Sequence, residues 1–277
     1  MPVIQPYIIE PIFEQFSALL PQREVDHPLG CHRPRVPDRL LFEKLVQVLV
    51  FGCAYWRIAD GSCSATTLRR RRDEWIEAGL MDALEEVARK AYDRAIGLDL
   101  SDVAVDCCIT KAPRGGQRAG RSPVDRGKQG MKRSIIVDGE GVPLGAVAAG
   151  ANHHDSPLLA PTLEALDTLG GLPEPVNVHL DRAYDSKITR RLLEDRGLEG
   201  VISEKGKRVP LGATKRWVVE RTNSWSNSHK KLLWCTERRG RVIDFWIAFS
   251  NTIIIVGRLF REAWSRYRWE GRPSRRP

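Results

Sequence analysis

The stretch PVNVHLDRAYDSK, residues 175–187, sets an apolar alternation against a loop of acidic, basic and aromatic residues. Val176, Val178 and Leu180 recur at every second position, the period of a strand, and Asp181 stands where that strand meets its loop. Open α/β sheets gather ligands at the carboxyl ends of strands, which makes Asp181 a candidate for chemistry. Asp185 directly precedes the helical pattern SKITRRLLEDRG and reads instead as its N-cap, a carboxylate accepting amide hydrogens of the first turn.

Working outward, DVAVDCCIT (102–110), KRSIIVDGEG (132–141), VPLGAVAAG (142–150) and GVIS (200–203) are further strand-like runs, bounded by Gly, Pro and Asp turns. Asp138 falls in the hairpin turn VDGEGVP, where geometry demands Asp and Gly. Helical patterns SPLLAPTLEALDTL and SKITRRLLEDRG fall between the later strands, and another helix begins near Thr214. Three strands, then helix, strand, helix, strand and helix make a mixed α/β order.

In VAVDCCI the alternation puts Val103, Val105 and Cys107 on one face and Ala104, Asp106 and Cys108 on the other. An aspartate inside so apolar a strand calls for a cationic neighbour. A third acid, Glu220, lies in KRWVVERTNSWSNSHKKL, where Arg216, Glu220, Asn223 and Asn227 recur at helical spacing. Arg216 and Glu220 also fit a plain surface ion pair. Three acids on separate elements beside strong positive charge are the donor set of a hard divalent cation such as Mg²⁺. Trp217 and Trp225 bracket Glu220 and fit either core packing or stacking on an unpaired base.

The N-terminal third reads as helices. PDRLLFEKLVQVLVFG (37–52) has Pro at its start and Gly52 at its stop, and SATTLRRRRDEWIEAG (64–79) is capped by Ser64. With the short link CAYWRIADGSC between them they resemble a helix-turn-helix, followed by a helix over 81–95. Arg69, Arg70, Arg71 and Arg72 are then candidate DNA contacts, although four consecutive residues point all round a helix and at most two face one groove. A solvated helix face, with Asp73 and Glu74 as partners, is the alternative.

The net charge of +9 is concentrated in patches. Residues 111–133 hold eight Lys or Arg against one Asp, and residues 258–277 hold seven Arg against two Glu. Such patches are the footprint of a polyanion partner. Within the first, SPVDRGKQGMKR places Arg126, Lys128, Lys132 and Arg133 as phosphate contacts. Six cysteines without a CxxC pair argue against a zinc site or a disulfide framework. The start shows no basic segment ahead of an apolar block, and apolar runs such as LVQVLVFGCAYW are too short to span a bilayer, so a cytoplasmic protein without membrane partners is expected.

Taken together, VDCCITKAPRGGQ, SPVDRGKQGMKRSIIVDGEGVPLGAVAAGANHHDSPLL, HLDRAYDS and RWVVERTNSWSNSHKKL resemble the DDE transposases of the IS5 family of bacterial insertion sequences, particularly the IS427-like group. The similarity runs from about Arg33 to Leu259. It implies a ribonuclease H-like catalytic core over residues 101–260, an N-terminal helical DNA-binding region over 1–100 and a basic tail over 261–277. Asp106, Asp181 and Glu220, 75 and 39 residues apart, would be the catalytic, metal-binding triad, using Mg²⁺, two ions, with Mn²⁺ able to substitute. The implied activity is binding of terminal inverted repeats, cleavage by water and joining of 3′-hydroxyl ends to target DNA by a homodimer, in a nucleoid-associated bacterial protein. Ala213 and Asn227 stand where relatives carry a tyrosine and a lysine, with Lys230 or Lys231 as substitutes from the next turn. A non-catalytic DNA-binding protein and a nuclease that does not join ends are the rival readings.

Overall fold

The computed structural model describes residues 3–22, 35–203 and 214–267. One sheet is formed by β1 (Asp102–Lys111), β2 (Gly120–Arg121), β3 (Gln129–Val137), β4 (Pro143–Gly150), β5 (Val176–Leu180) and β6 (Leu198–Ile202). The order is β4-β3-β1-β5-β6, with the two-residue β2 pairing the first residues of β3. The β1, β3 and β4 pairs are antiparallel, whereas β5 lies parallel to β1 and β6 parallel to β5. Counting only the long strands, this is the 3-2-1-4-5 order of a ribonuclease H-like core, the mixed sheet expected from the sequence.

The alternation in β1 distributes its side chains as its sequence dictates. Val103 and Val105 join Leu159 and Leu163 of α6 (Ser156–Leu163) and Leu193 of α7 (Lys187–Asp195) in one apolar cluster. Ala104, with Ile135 and Val137 of β3, packs instead under Val218 and Val219 of α8 (Arg216–Ser228). Asp106 shares the face of Ala104 and therefore points to the α8 side of the sheet.

Ahead of the sheet stand α1 (Pro6–Leu19), α2 (Asp38–Phe51), α3 (Tyr55–Ile58), α4 (Ala65–Glu77) and α5 (Leu80–Ala95). Ser64 caps α4 by accepting the Thr67 amide at 3.1 Å. Gly52 ends α2 in the left-handed region, φ 64°, and lies so close to α9 (Lys230–Leu233) that a β-carbon would come within 2.8 Å of the Lys230 carbonyl carbon. Only glycine meets both demands.

The last helix, α10 (Gly240–Arg266), is 27 residues long and was not anticipated, nor was α1. By length and composition α10 is apolar enough to cross a membrane, which corrects the expectation that every apolar run is too short. Most of that length is buried: residues from Val242 to Val256 share one cluster with apolar residues of α1, α2, α4 and α5. The helices before residue 100 and the helix after the sheet thus form one core. Residues 268–277 of the basic tail, like Ala213, lie outside the described residues.

Candidate active site

Asp106 comes from the middle of β1, paired in register with Ile135, and Asp181 follows the last residue of β5. Glu220 sits on α8, which covers the intervening sheet face. The Arg216 guanidinium joins them, 3.4 Å from Asp181 Oδ2 and 3.8 Å from Glu220 Oε1. Burial pushes the Asp106 carboxyl up to about 6; Arg216 pulls it down, while the charges of Glu220 and Asp181 push the same way as burial. The positive charge acting on Asp106 is thus Arg216, at longer range than the ion pairs Arg216 makes with Asp181 and Glu220. Its pairing with Glu220 is not an isolated surface contact, because the same guanidinium also bridges to β5.

The loop after β5 is fixed from beneath. Tyr184 is fully buried among the apolar residues of the α6 face, and its hydroxyl stands 3.2 Å from Cys107 Sγ. Burial holds the Cys107 thiol up at about 12, so that contact is made by a neutral S–H. Asp181 accepts the Arg182 amide through Oδ1 and caps the short 3-10 turn Arg182–Tyr184. Asp185 is not the cap of α7: Ser186 Oγ accepts the Thr189 amide at 3.1 Å, and Asp185 pairs at 2.8 Å with Arg190 on the surface. Ser186 is one residue nearer the helix, with the extended backbone an N-cap needs.

No group of three or more His, Cys, Asp or Glu side chains among the described residues is gathered closely enough to hold a metal ion. The chemistry of the donors nevertheless suits a hard cation: three carboxylates on β1, β5 and α8 already share the field of one positive group.

Of the basic residues singled out in the sequence, some are turned outward and others are not. Arg69 and Arg70 are exposed on α4. Arg71 and Arg72 are buried, which corrects their assignment as DNA contacts: Arg71 pairs with Asp38, and Arg72 with Asp73 and the Tyr55 hydroxyl. Arg126 and Lys128 are exposed in the loop ahead of β3, without ion-pair partners among the described residues. Lys132 and Arg133 are buried in β3, where Lys132 pairs with Asp155 and Arg133 donates to Asn227 Oδ1 at 2.8 Å. The alternation had hidden this, because β3 is covered on both faces. Lys230 is exposed, but Lys231 is buried and bound to Glu237 at 2.7 Å.

Trp217 is 46% exposed with the Arg221 guanidinium 4.6 Å from its ring centre, so it is not a core residue. Trp225 is half-buried, with Arg221 at 4.9 Å. One cluster escaped the sequence reading. Lys215 reaches Asp99 at 2.6 Å and Asp102 at 3.3 Å, and Asp102 also meets His179 Nε2 at 2.7 Å. These contacts fasten the start of α8 to β1 and β5, and only long-range pairing makes them, so no local pattern announces them.

A protein-family profile described as a transposase DDE domain matches residues 98–211, which include Asp106 and Asp181. The transposase assigned to insertion sequence element IS402 of Burkholderia cepacia is 39% identical over 153 residues, 53% of this chain and 72% of that protein. Among solved structures, the simian T-cell lymphotropic virus intasome matches at 15% identity and a TM-score of 0.33, over 53% of this chain and 55% of its own. A pre-cleavage Mos1 transpososome matches at 10% identity and a TM-score of 0.28, over 96% and 89%. Both structural likenesses are loose, and the strand order and the sequence relative carry the assignment instead. The chain belongs to the DDE transposases of insertion sequences.

Proposed function

We propose that this protein, of the IS5 family and its IS427-like group, binds the terminal inverted repeats of its element. It cuts the DNA there and joins the freed 3′-hydroxyl ends to target DNA. The observation that carries this reading is the convergence of Asp106, Asp181 and Glu220, from three elements, on the field of one guanidinium. Asp106, Asp181 and Glu220 would hold Mg²⁺ or Mn²⁺, which supplies charge stabilisation to an in-line phosphoryl displacement. Arg216 adds a positive charge beside the same carboxylates, 3.4 Å from Asp181 and 3.8 Å from Glu220. Cleavage and joining are the same displacement with water or a 3′-hydroxyl as nucleophile, so one site serves both.

Around it, Arg69, Arg70, Arg126, Lys128 and Lys230 offer exposed charge to the phosphate backbone, and exposed Trp217 offers a stacking surface to an unpaired base. A homodimer would hold the two ends together. The test is cleavage of a labelled terminal repeat in Mg²⁺. Asp106→Asn and Asp181→Asn should each abolish cutting while end binding without metal persists. Full cleavage by either variant sinks the assignment. Supplied with pre-cut ends, the protein should yield joined product; cutting without joining would make it a nuclease.

A further inference from the structure

A pocket of about 300 Å³ lies between α1, α8 and α10, with Tyr7, Trp225, Arg258, Phe260, Arg261 and Trp264 in its lining. That volume is at the lower end of small-molecule sites, about 300 to 1,000 Å³. Its walls are aromatic: Tyr7 and Phe260 meet edge to face at 5.4 Å, and Trp225 lies 5.6 Å from the Arg258 guanidinium. Its charge is cationic. Arg258 is only 8% exposed, and although it reaches Glu262 at 3.1 Å and the Glu140 carbonyl at 3.3 Å, its Nε finds no acceptor among the described residues. Arg221 does not line the pocket but stacks on Trp225 at 4.9 Å from the same helix and donates to the Glu140 carbonyl at 2.6 Å. Arg261 is exposed at the rim with no ion-pair partner among the described residues.

Burial and the charges of Arg258 and Arg261 hold the Arg221 pKa below the ordinary guanidinium range, which reports three cations crowded together. Glu140 and Glu262 both pair with Arg258, so three guanidinium groups stand against two carboxylates. Aromatic walls beside a surplus cation suit a flat, anionic ligand.

We propose that this pocket is a nucleotide-binding site, its aromatic walls taking a base and its guanidinium groups the phosphate. The shared chemistry has two sources: a free mononucleotide, or an unpaired nucleotide of a bound strand, in which case the inference rests on the DNA reading above. The pocket is distinct from the carboxylate site. Trp225 lies five residues beyond Glu220, about 7 Å along α8 and about 140° around it.

The test is calorimetric titration of the full chain, in chelator and without metal, with dAMP, deoxyadenosine, inorganic phosphate and a short single-stranded oligonucleotide. Saturable binding of dAMP or of the oligonucleotide is expected, weakened about tenfold by Trp225→Leu, the worth of one stacked base. Arg261→Ser should weaken dAMP or the oligonucleotide while leaving deoxyadenosine unchanged. Binding of dAMP identifies the free nucleotide as a source, and binding of the oligonucleotide alone identifies the strand. Affinities unchanged in Arg261→Ser, or inorganic phosphate binding as tightly as dAMP, would overturn the proposal. Exposed Arg261 keeps the test decisive if Trp225→Leu fails to fold. No cutting is read, so failure of the transposase reading and failure of this site are separate results.

Discussion

The Tyr184 hydroxyl stands 3.2 Å from Cys107 Sγ, tying the loop that begins with Asp181 to the strand residue next to Asp106. The two acids are thereby held in register by a buried contact on the opposite face of the sheet. Tyr184→Phe removes only a weak thiol contact and should cost about 1 kcal/mol or less. Tyr184→Ala leaves a cavity in the core and should cost about 3 to 5 kcal/mol. Denaturant unfolding of both variants checks the difference.

Capping of α7 separates two neighbouring residues. Ser186→Ala should destabilise the protein by about 1 kcal/mol through the lost Thr189 bond. Asp185→Asn gives up only an exposed pair with Arg190 and should change stability by less than about 0.5 kcal/mol. Thermal melts that rank the two in reverse order would restore Asp185 as the cap.

The buried and exposed arginines of α4 should behave oppositely. Arg72→Ala removes a buried cation shared by Asp73, Tyr55 and Glu237, but Asp73 keeps Arg239 and Glu237 keeps Lys231, so the cost should be about 1.5 to 3 kcal/mol. Arg69→Ala and Arg70→Ala should leave the melt nearly unchanged and weaken DNA retention in a mobility-shift assay.

Salt dependence tests the loop ahead of β3. If Arg126 and Lys128 each neutralise a phosphate, replacing both with Ala should lower the slope of log K against log salt by about 1.8. Lys132→Ala should instead impair folding, because it strands Asp155 beside β3.

Glu85 links stability to pH. Burial between α5 and α10 pushes its carboxyl up to about 7, although Asn251 and Arg89 pull it down. A raised carboxyl binds its proton more tightly when folded, so its neutral form favours the fold at low pH. That contribution is lost as pH rises from about 4.5 past 7. Glu85→Gln keeps the Asn251 partner without the charge. It should match wild type near pH 4.5 and exceed it at pH 8 by on the order of 1 to 2 kcal/mol. Equal stability at both pH values would rule this out.

The sequence alone determined what short-range physics fixes. Period-two alternation placed Asp106 on the opposite face from Val105, and the spacing of Gly52, Ser64 and the strand runs marked real element ends. Conservative local signals of this kind depend only on neighbours a few residues away. Tertiary structure decided which charges are available. Arg69 to Arg72 look alike as a run, yet two face inward to Asp38, Asp73 and Tyr55, and Lys132 and Arg133 are enclosed because both faces of β3 are covered, with Asp155 meeting Lys132 and Asn227 of α8 meeting Arg133. It also decided that α10, apolar enough for a membrane, is the core helix on which α1 and α5 pack, and that Arg216 is the cation shared by Asp181 and Glu220. The partners in each case lie far apart along the chain, and burial, which sets the energetic value of a charge, is a property of the assembled layers.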